Sequence, residues 1–133
     1  MKTFTSSILV SLSLIIAAPA YSQALEAIQI FRCEFNDETT SEDDVVDLAA
    51  AWLKAAKQTK GGENMSLAVR FPIAVGVGGV ADFTWVISVP TFKEWGEFTD
   101  AYEGSEVSKI DDKLFGDLAD CGQSSIWEGT VIK

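Results

Sequence analysis

The stretch Met65 to Pro90, MSLAVRFPIAVGVGGVADFTWVISVP, constrains the fold more than any other, because it reads as two adjacent strands joined by a glycine-rich reversal. Met65, Leu67, Val69 and Phe71 alternate with Ser66, Ala68 and Arg70. Phe83, Trp85, Ile87 and Val89 alternate with Asp82, Thr84, Val86 and Ser88. This is the two-residue period of a half-buried strand. Gly76, Gly78 and Gly79 supply residues able to take positive φ at the reversal, and Pro72 and Pro90 stand where no ladder donor is required. The spacing predicts a hairpin with strands at 65–71 and 82–89.

Residues 1–22 are set aside first. Lys2, the apolar run Ile8 to Ala18 and the triplet Ala20-Tyr21-Ser22 have the three parts of a secretory signal peptide. The expected mature chain is residues 23–133, a length suited to one domain with one core. The expected location is the periplasm or the exterior, in a bacterial rather than a eukaryotic host. The apolar run is too short to span a bilayer, so no membrane contact is expected after cleavage. The net charge of −10 becomes −11 once Lys2 leaves, a field that repels nucleic acid and anionic membrane surfaces.

Two cysteines in an exported chain point to one disulfide, Cys33 with Cys121. The sequence contains no histidine, which removes the commonest metal ligand, the usual base for Ser and Cys nucleophiles and the usual axial ligand of haem. No metal and no cofactor are expected. The acidic run Asn36, Asp37, Glu38, Glu42, Asp43 and Asp44 lacks the glycine and terminal glutamate of a calcium loop, and reads as favourable charge at a helix N-terminus.

Before the hairpin, EAIQIFRCEF at 26–35 reads as a first strand. Ser41 with Asp44 then resembles a capping box, and Val45, Leu48, Ala49, Trp52, Leu53 and Ala56 recur at helical spacing, predicting a helix at 42–60 that Gly61-Gly62 stops. After the hairpin, Thr91 and Glu94 box the start of a helix ending near Gly104, with Phe92, Trp95, Phe98 and Tyr102 as an aromatic packing stripe. Val107, Ile110, Leu114 and Leu118 suggest a further helix at 106–120, and SSIWEGTVI at 124–132 a last strand.

The order strand, helix, strand, strand, helix, strand is the ferredoxin-like split βαβ pattern: α+β, a four-stranded antiparallel sheet with helices on one face and the last strand beside the first. Antiparallel pairing of those two strands would bring Cys33 to Cys121. In this element order and in its aromatic second helix the chain resembles the dimeric α/β barrel superfamily, whose subunits pair sheet to sheet. The resemblance implies a homodimer. Members include cofactor-free monooxygenases, haem-binding enzymes and proteins without known activity; the lack of histidine departs from the haem-binding branch.

Sorting alternate residues by face places Phe31, Val69, Phe71, Phe83, Trp85, Ile87, Trp127 and Val131 under the helices. Arg32, Glu34, Arg70, Thr84, Ser88, Glu128 and Thr130 fall on the open face, with Ile28, Ile30, Ile126 and Ile132. Both arginines of the chain fall on that open face, and the planar guanidinium fork suits bidentate pairing with a carboxylate. The candidate ligand site is therefore Arg32, Arg70, Thr84, Ser88 and Glu128, for a small anionic molecule. The alternative is that the arginines pair with Glu34, Glu128 or a partner subunit's carboxylates.

Three functions are compatible with these features. The first is a non-enzymatic exported domain, homodimeric, binding a small or anionic molecule at the open face. The second is a cofactor-free monooxygenase-like enzyme in which Trp85, Thr84 or Arg70 orients a substrate. The third is a protein-interaction module using Ile73 to Val80.

Overall fold

Alternation does most of the folding in the centre of the sheet. The computed structural model describes residues 25–74 and 81–130; the expected signal peptide, the glycines of the reversal, and Val131 and Ile132 lie outside the described residues. In strand β3 (Phe83–Val89), Phe83, Trp85, Ile87 and Val89 are all buried on one side, under the helices. Strand β2 (Ser66–Arg70) pairs antiparallel with β3, with Leu67 opposite Ile87 and Val69 opposite Trp85, as the hairpin reading expects. Strand β1 (Leu25–Phe35) pairs with the other edge of β3, and β4 (Ala119–Thr130) pairs with β1. The resulting order is β2-β3-β1-β4, all antiparallel, with the last strand beside the first. The fold is ferredoxin-like α+β.

Helix α1 (Glu42–Ala56) starts in a capping box in which Ser41 and Asp44 each satisfy the other's backbone N–H. It ends at Ala56 rather than running to 60, because after Lys57 the backbone tightens into turns in which the N–H groups of Gln58 and Thr59 reach the carbonyls of Ala55 and Ala56. The next two residues must be glycine. Gly61 has φ 83°, and a side chain on it would meet the Glu94 carbonyl at 2.4 Å; one on Gly62 would meet the Ala56 carbonyl at 2.0 Å. That close approach seats α2 (Phe92–Tyr102), capped by Thr91 and Glu94, against the end of α1.

The third helical stretch is divided. Helix α3 (Glu106–Lys113), capped by Ser105, passes into a π-helical turn at Leu114–Leu118, and β4 begins at once. The last strand therefore starts at Ala119, five residues earlier than the spacing predicts, and Cys121 lies within it. Cys33 and Cys121 form the expected disulfide, with Cα atoms 4.0 Å apart. At this point Arg32 pairs with Gln123 and Glu34 with Asp120, so Cys33 faces both Cys121 and Gly122 across a bulge. Trp52, Trp85, Phe83 and Met65 are the largest fully buried side chains of the core between sheet and helices.

Candidate functional site

The face turned away from the helices is built from cross-strand rows, because residues directly opposite in antiparallel strands share a side. At one end, Arg70, Thr84, Arg32 and Gln123 stand side by side across all four strands. The next row is Ala68, Val86, Ile30 and Ser125, and the one beyond is Ser66, Ser88, Ile28 and Trp127. The face thus has a guanidinium end and an apolar middle. Val86 is buried there, Ile28 and Ile30 are half-buried, and Trp127 is 57 % exposed, its indole N–H donating to Ser125.

The arginine row borders a concavity of about 810 Å³ lined also by Glu34, Phe71 and Asp120. Arg32 and Arg70 are both exposed, and neither is ion-paired among the described residues; the ion pairs found there are Lys60–Glu97, Lys93–Glu97 and Lys109–Glu106. Intrachain pairing with Glu34 or Glu128 is not what occupies the guanidiniums. Their forks remain available to an external carboxylate or phosphate.

Of the five candidate residues, Arg32, Arg70 and Thr84 come together. Ser88 is on the same face but four residues along β3, about 13 Å away at the ordinary strand rise, where it shares a hydrogen bond with Ser66. Glu128 is a correction. It pairs with Ala27, a core residue under the helices, so it projects to the other side, as do Ile126 opposite Gln29 and Thr130 opposite Leu25. Trp127, expected under the helices, is on the open face instead. No helix covers residues 122–128 of β4, which are exposed throughout, so the apolar pattern does not specify which side turns inward; pairing with β1 decides it. Gln123 and Asp120 are missed by the sequence because its last strand begins only at Ser124 and its third helix runs to 120, whereas β4 starts at Ala119.

The residues suggested for a monooxygenase-like enzyme also separate. Thr84 and Arg70 line the outer concavity, whereas Trp85 is on the helix side. There a second cavity, of about 280 Å³, lies between the sheet and α1, α2 and α3. Its walls are mainly aromatic, and Asp111 on α3 stands in it, 7 % exposed. Asp111 accepts a 2.6 Å hydrogen bond from the Trp52 indole on Oδ1 and one from the Tyr102 hydroxyl on Oδ2. Burial pushes the Asp111 carboxyl up to about 6 against the downward pull of those two donors, and burial together with Asp111 raises the Tyr102 phenol. The signal that could have found Asp111 is its place between Val107 and Leu114, on the buried stripe of a short helix.

Within the acidic run Asp44 completes the cap of α1, Glu42 and Asp43 lie in its first turn, and Asp37 holds the turn before it. Asp37 accepts from the backbone N–H groups of Thr39 and Thr40, and the hydroxyl and N–H of Thr39 hold its carboxyl below the usual range, as Ser41 does for Asp44. Among the described residues no cluster of acidic or cysteine side chains is arranged to hold a metal ion. No helix among them is long and apolar enough to cross a membrane.

No family model and no curated protein matches the chain. Solved structures do match it in fold. A dimeric ferredoxin-like protein of unknown function from Thermobifida fusca YX superposes with a TM-score of 0.50 at 13 % identity, over 84 % of this chain and 96 % of that one. A candidate chlorite dismutase gives 0.48 at 12 % identity, over 83 % of this chain and 46 % of its own. A dimeric ferredoxin-like protein of unknown function from Bacteroides fragilis NCTC 9343 gives 0.44 at 6 % identity, over 82 % of this chain and 98 % of its own.

Proposed function

We propose that the chain is an exported, non-enzymatic domain that works as a homodimer, two copies covering each other's open sheet faces and holding a small anionic molecule at the arginine end. The observation that carries this reading is the row Arg70, Thr84, Arg32, Gln123: two guanidiniums flank one hydroxyl at the edge of a concavity, and neither is paired among the described residues. About 810 Å³ falls in the ~300–1,000 Å³ range of small-molecule sites. Two planar forks with a hydroxyl between them suit a carboxylate or phosphate group, while Glu34 and Asp120 at the same rim suit hydroxyl or ammonium groups of the same ligand. The net charge of −10 disfavours a polyanion such as nucleic acid, so the ligand is small.

The partner is supported by the apolar middle of the face, where the half-buried Ile28 and Ile30 and the exposed Trp127 form a patch that a second copy would cover. The Thermobifida fusca neighbour, similar in fold, is itself described as dimeric.

Calorimetric titration of the mature protein with benzoate and with inorganic phosphate tests the site. Saturable binding of at least one probe is expected, weakened by about tenfold or more in Arg32→Gln and in Arg70→Gln, since a hydrogen bond to a charged group contributes ~1.5–3 kcal/mol. Absence of binding by both probes, or binding undiminished in the double variant, would remove the proposal.

A further inference from the structure

The inner cavity between the sheet and the helices is assigned no role by the open-face reading, and it differs from the outer concavity in almost every respect. Its walls include Trp52, Trp85, Trp95, Phe98, Tyr102 and Phe115. Four helical segments and the sheet contribute to it, Phe115 from the π-helical turn, where an inserted residue re-aims side chains. One ionisable carboxyl stands among these rings, Asp111, over nine-tenths buried.

We propose that this cavity is a binding site for a small organic cation, an amine or quaternary ammonium compound, with Asp111 as its counter-ion. Three observations converge on a cation. First, Asp111 has only neutral donors: each carboxylate oxygen accepts one hydrogen bond, from Trp52 and from Tyr102, which leaves lone pairs on both. No Lys or Arg lines the cavity, and Asp111 is absent from the ion pairs among the described residues. A buried carboxylate without a positive partner favours any cation that can reach it.

Second, aromatic rings present electron-rich faces, and a cage of Trp, Tyr and Phe attracts a desolvated ammonium group. Third, the net charge of −10 draws cations toward the protein and repels anions from a negative cavity. The volume, about 280 Å³, sits at the small end of ligand sites, which limits the guest to a compact amine. Besides Asp111 and the tryptophan indole N–H groups, the polar side chains in the lining are Gln29, Thr99 and Tyr102, enough to orient one more hydrogen-bonding group.

The groups facing Asp111 also fix how the site responds to pH. Trp52 from α1 and Gln29 from β1 do not titrate, Phe115 is apolar, and the Tyr102 phenol from α2 is held neutral to high pH. Asp112, its neighbour on α3, adds negative charge and favours the protonated form of Asp111. Binding of a permanent cation therefore weakens in acid as Asp111 loses its charge.

The test uses benzylammonium and its neutral analogue benzyl alcohol, followed by the quenching of tryptophan fluorescence. Benzylammonium is expected to bind saturably at pH 8, at least about tenfold more tightly than benzyl alcohol, given the strength of a hydrogen bond to a charged group. That preference should vanish in Asp111→Asn. Because the variant loses an acceptor from a three-helix contact and could fold poorly, the same comparison is made on the unmodified protein at pH 5, where only the benzylammonium affinity should fall. Equal binding of the two probes at pH 8, a preference undiminished at pH 5, or no saturable binding by benzylammonium would each overturn the proposal. The inference does not depend on Arg32 or Arg70: Arg32→Gln should leave benzylammonium binding unchanged even if anion binding is lost.

Discussion

Asp111 is the side chain on which protonation and folding are most tightly coupled among the described carboxyls that titrate upward. Burial raises its folded value to about 6 from the ordinary 3.8. The fold therefore favours the neutral acid. That contribution is complete below about pH 4 and is lost as pH rises through about 6, a change of about 3 kcal/mol at most. Asp37, Asp44 and Glu94 act in the opposite sense: hydrogen bonds hold them low, so what they add is present above the ordinary range and lost in acid. Comparing unmodified protein with Asp111→Asn cancels those terms. Urea unfolding of the pair should show the variant gaining on the parent by about 2–3 kcal/mol between pH 4 and pH 7; a difference independent of pH would contradict the assignment. Little of this was legible beforehand. Asp111 sits on the apolar stripe of α3, and in a helix of eight residues one carboxyl on that stripe looks like a break in the pattern. The arginines were legible, because strict alternation in β1 and β2 fixes the side on which Arg32 and Arg70 project.

At the scale of elements, the junction of α1 with α2 turns on two glycines that differ in kind from Gly104. Gly61 has positive φ, and a methyl group there would also strike the backbone of α2; Gly104 has φ 75° with open space around it. Gly104→Ala is therefore expected to cost about 1–2 kcal/mol, the ordinary penalty of a left-handed conformation. Gly61→Ala should cost more, about 3 kcal/mol, since α2 must shift as well. Urea titrations of the two variants check this, and equal losses would mean that the contact with Glu94 and Phe98 yields readily. The same scale shows where periodicity stops being informative. Capping boxes and apolar spacing located the starts of α1 and α2. They overran the end of α1 because Lys57, Gln58 and Lys60 continue a helical pattern in composition while their backbone tightens into turns. In β4 the strand is exposed on both sides along 122–128, so alternation there does not say which side turns inward, and pairing with β1 puts Trp127 on the open side and Glu128 on the other.

For the whole molecule, the order of elements and the antiparallel pairing of the first and last strands were enough to read the ferredoxin-like sheet, and the disulfide ties those two strands across 88 residues of sequence. Closing so long a loop contributes about 4–5 kcal/mol in the chain-entropy view, as an upper figure. Replacing Cys33 and Cys121 together by alanine should lower unfolding stability by several kcal/mol in a urea titration; a loss below about 1 kcal/mol would show that the bulged pairing of β1 with β4 holds without the bond. The two sides of the sheet then carry separate chemistry: an aromatic, carboxylate-bearing cavity under the helices and a guanidinium row beside an apolar patch on the open side. The central claim is that the open side is completed by a second copy of the chain. Static light scattering on residues 23–133 at tens of micromolar tests it most directly: a mass of two chains, falling to one when Ile30→Glu places a charge in the middle of the patch, is the predicted result, and a mass of one chain for the unmodified protein would contradict it.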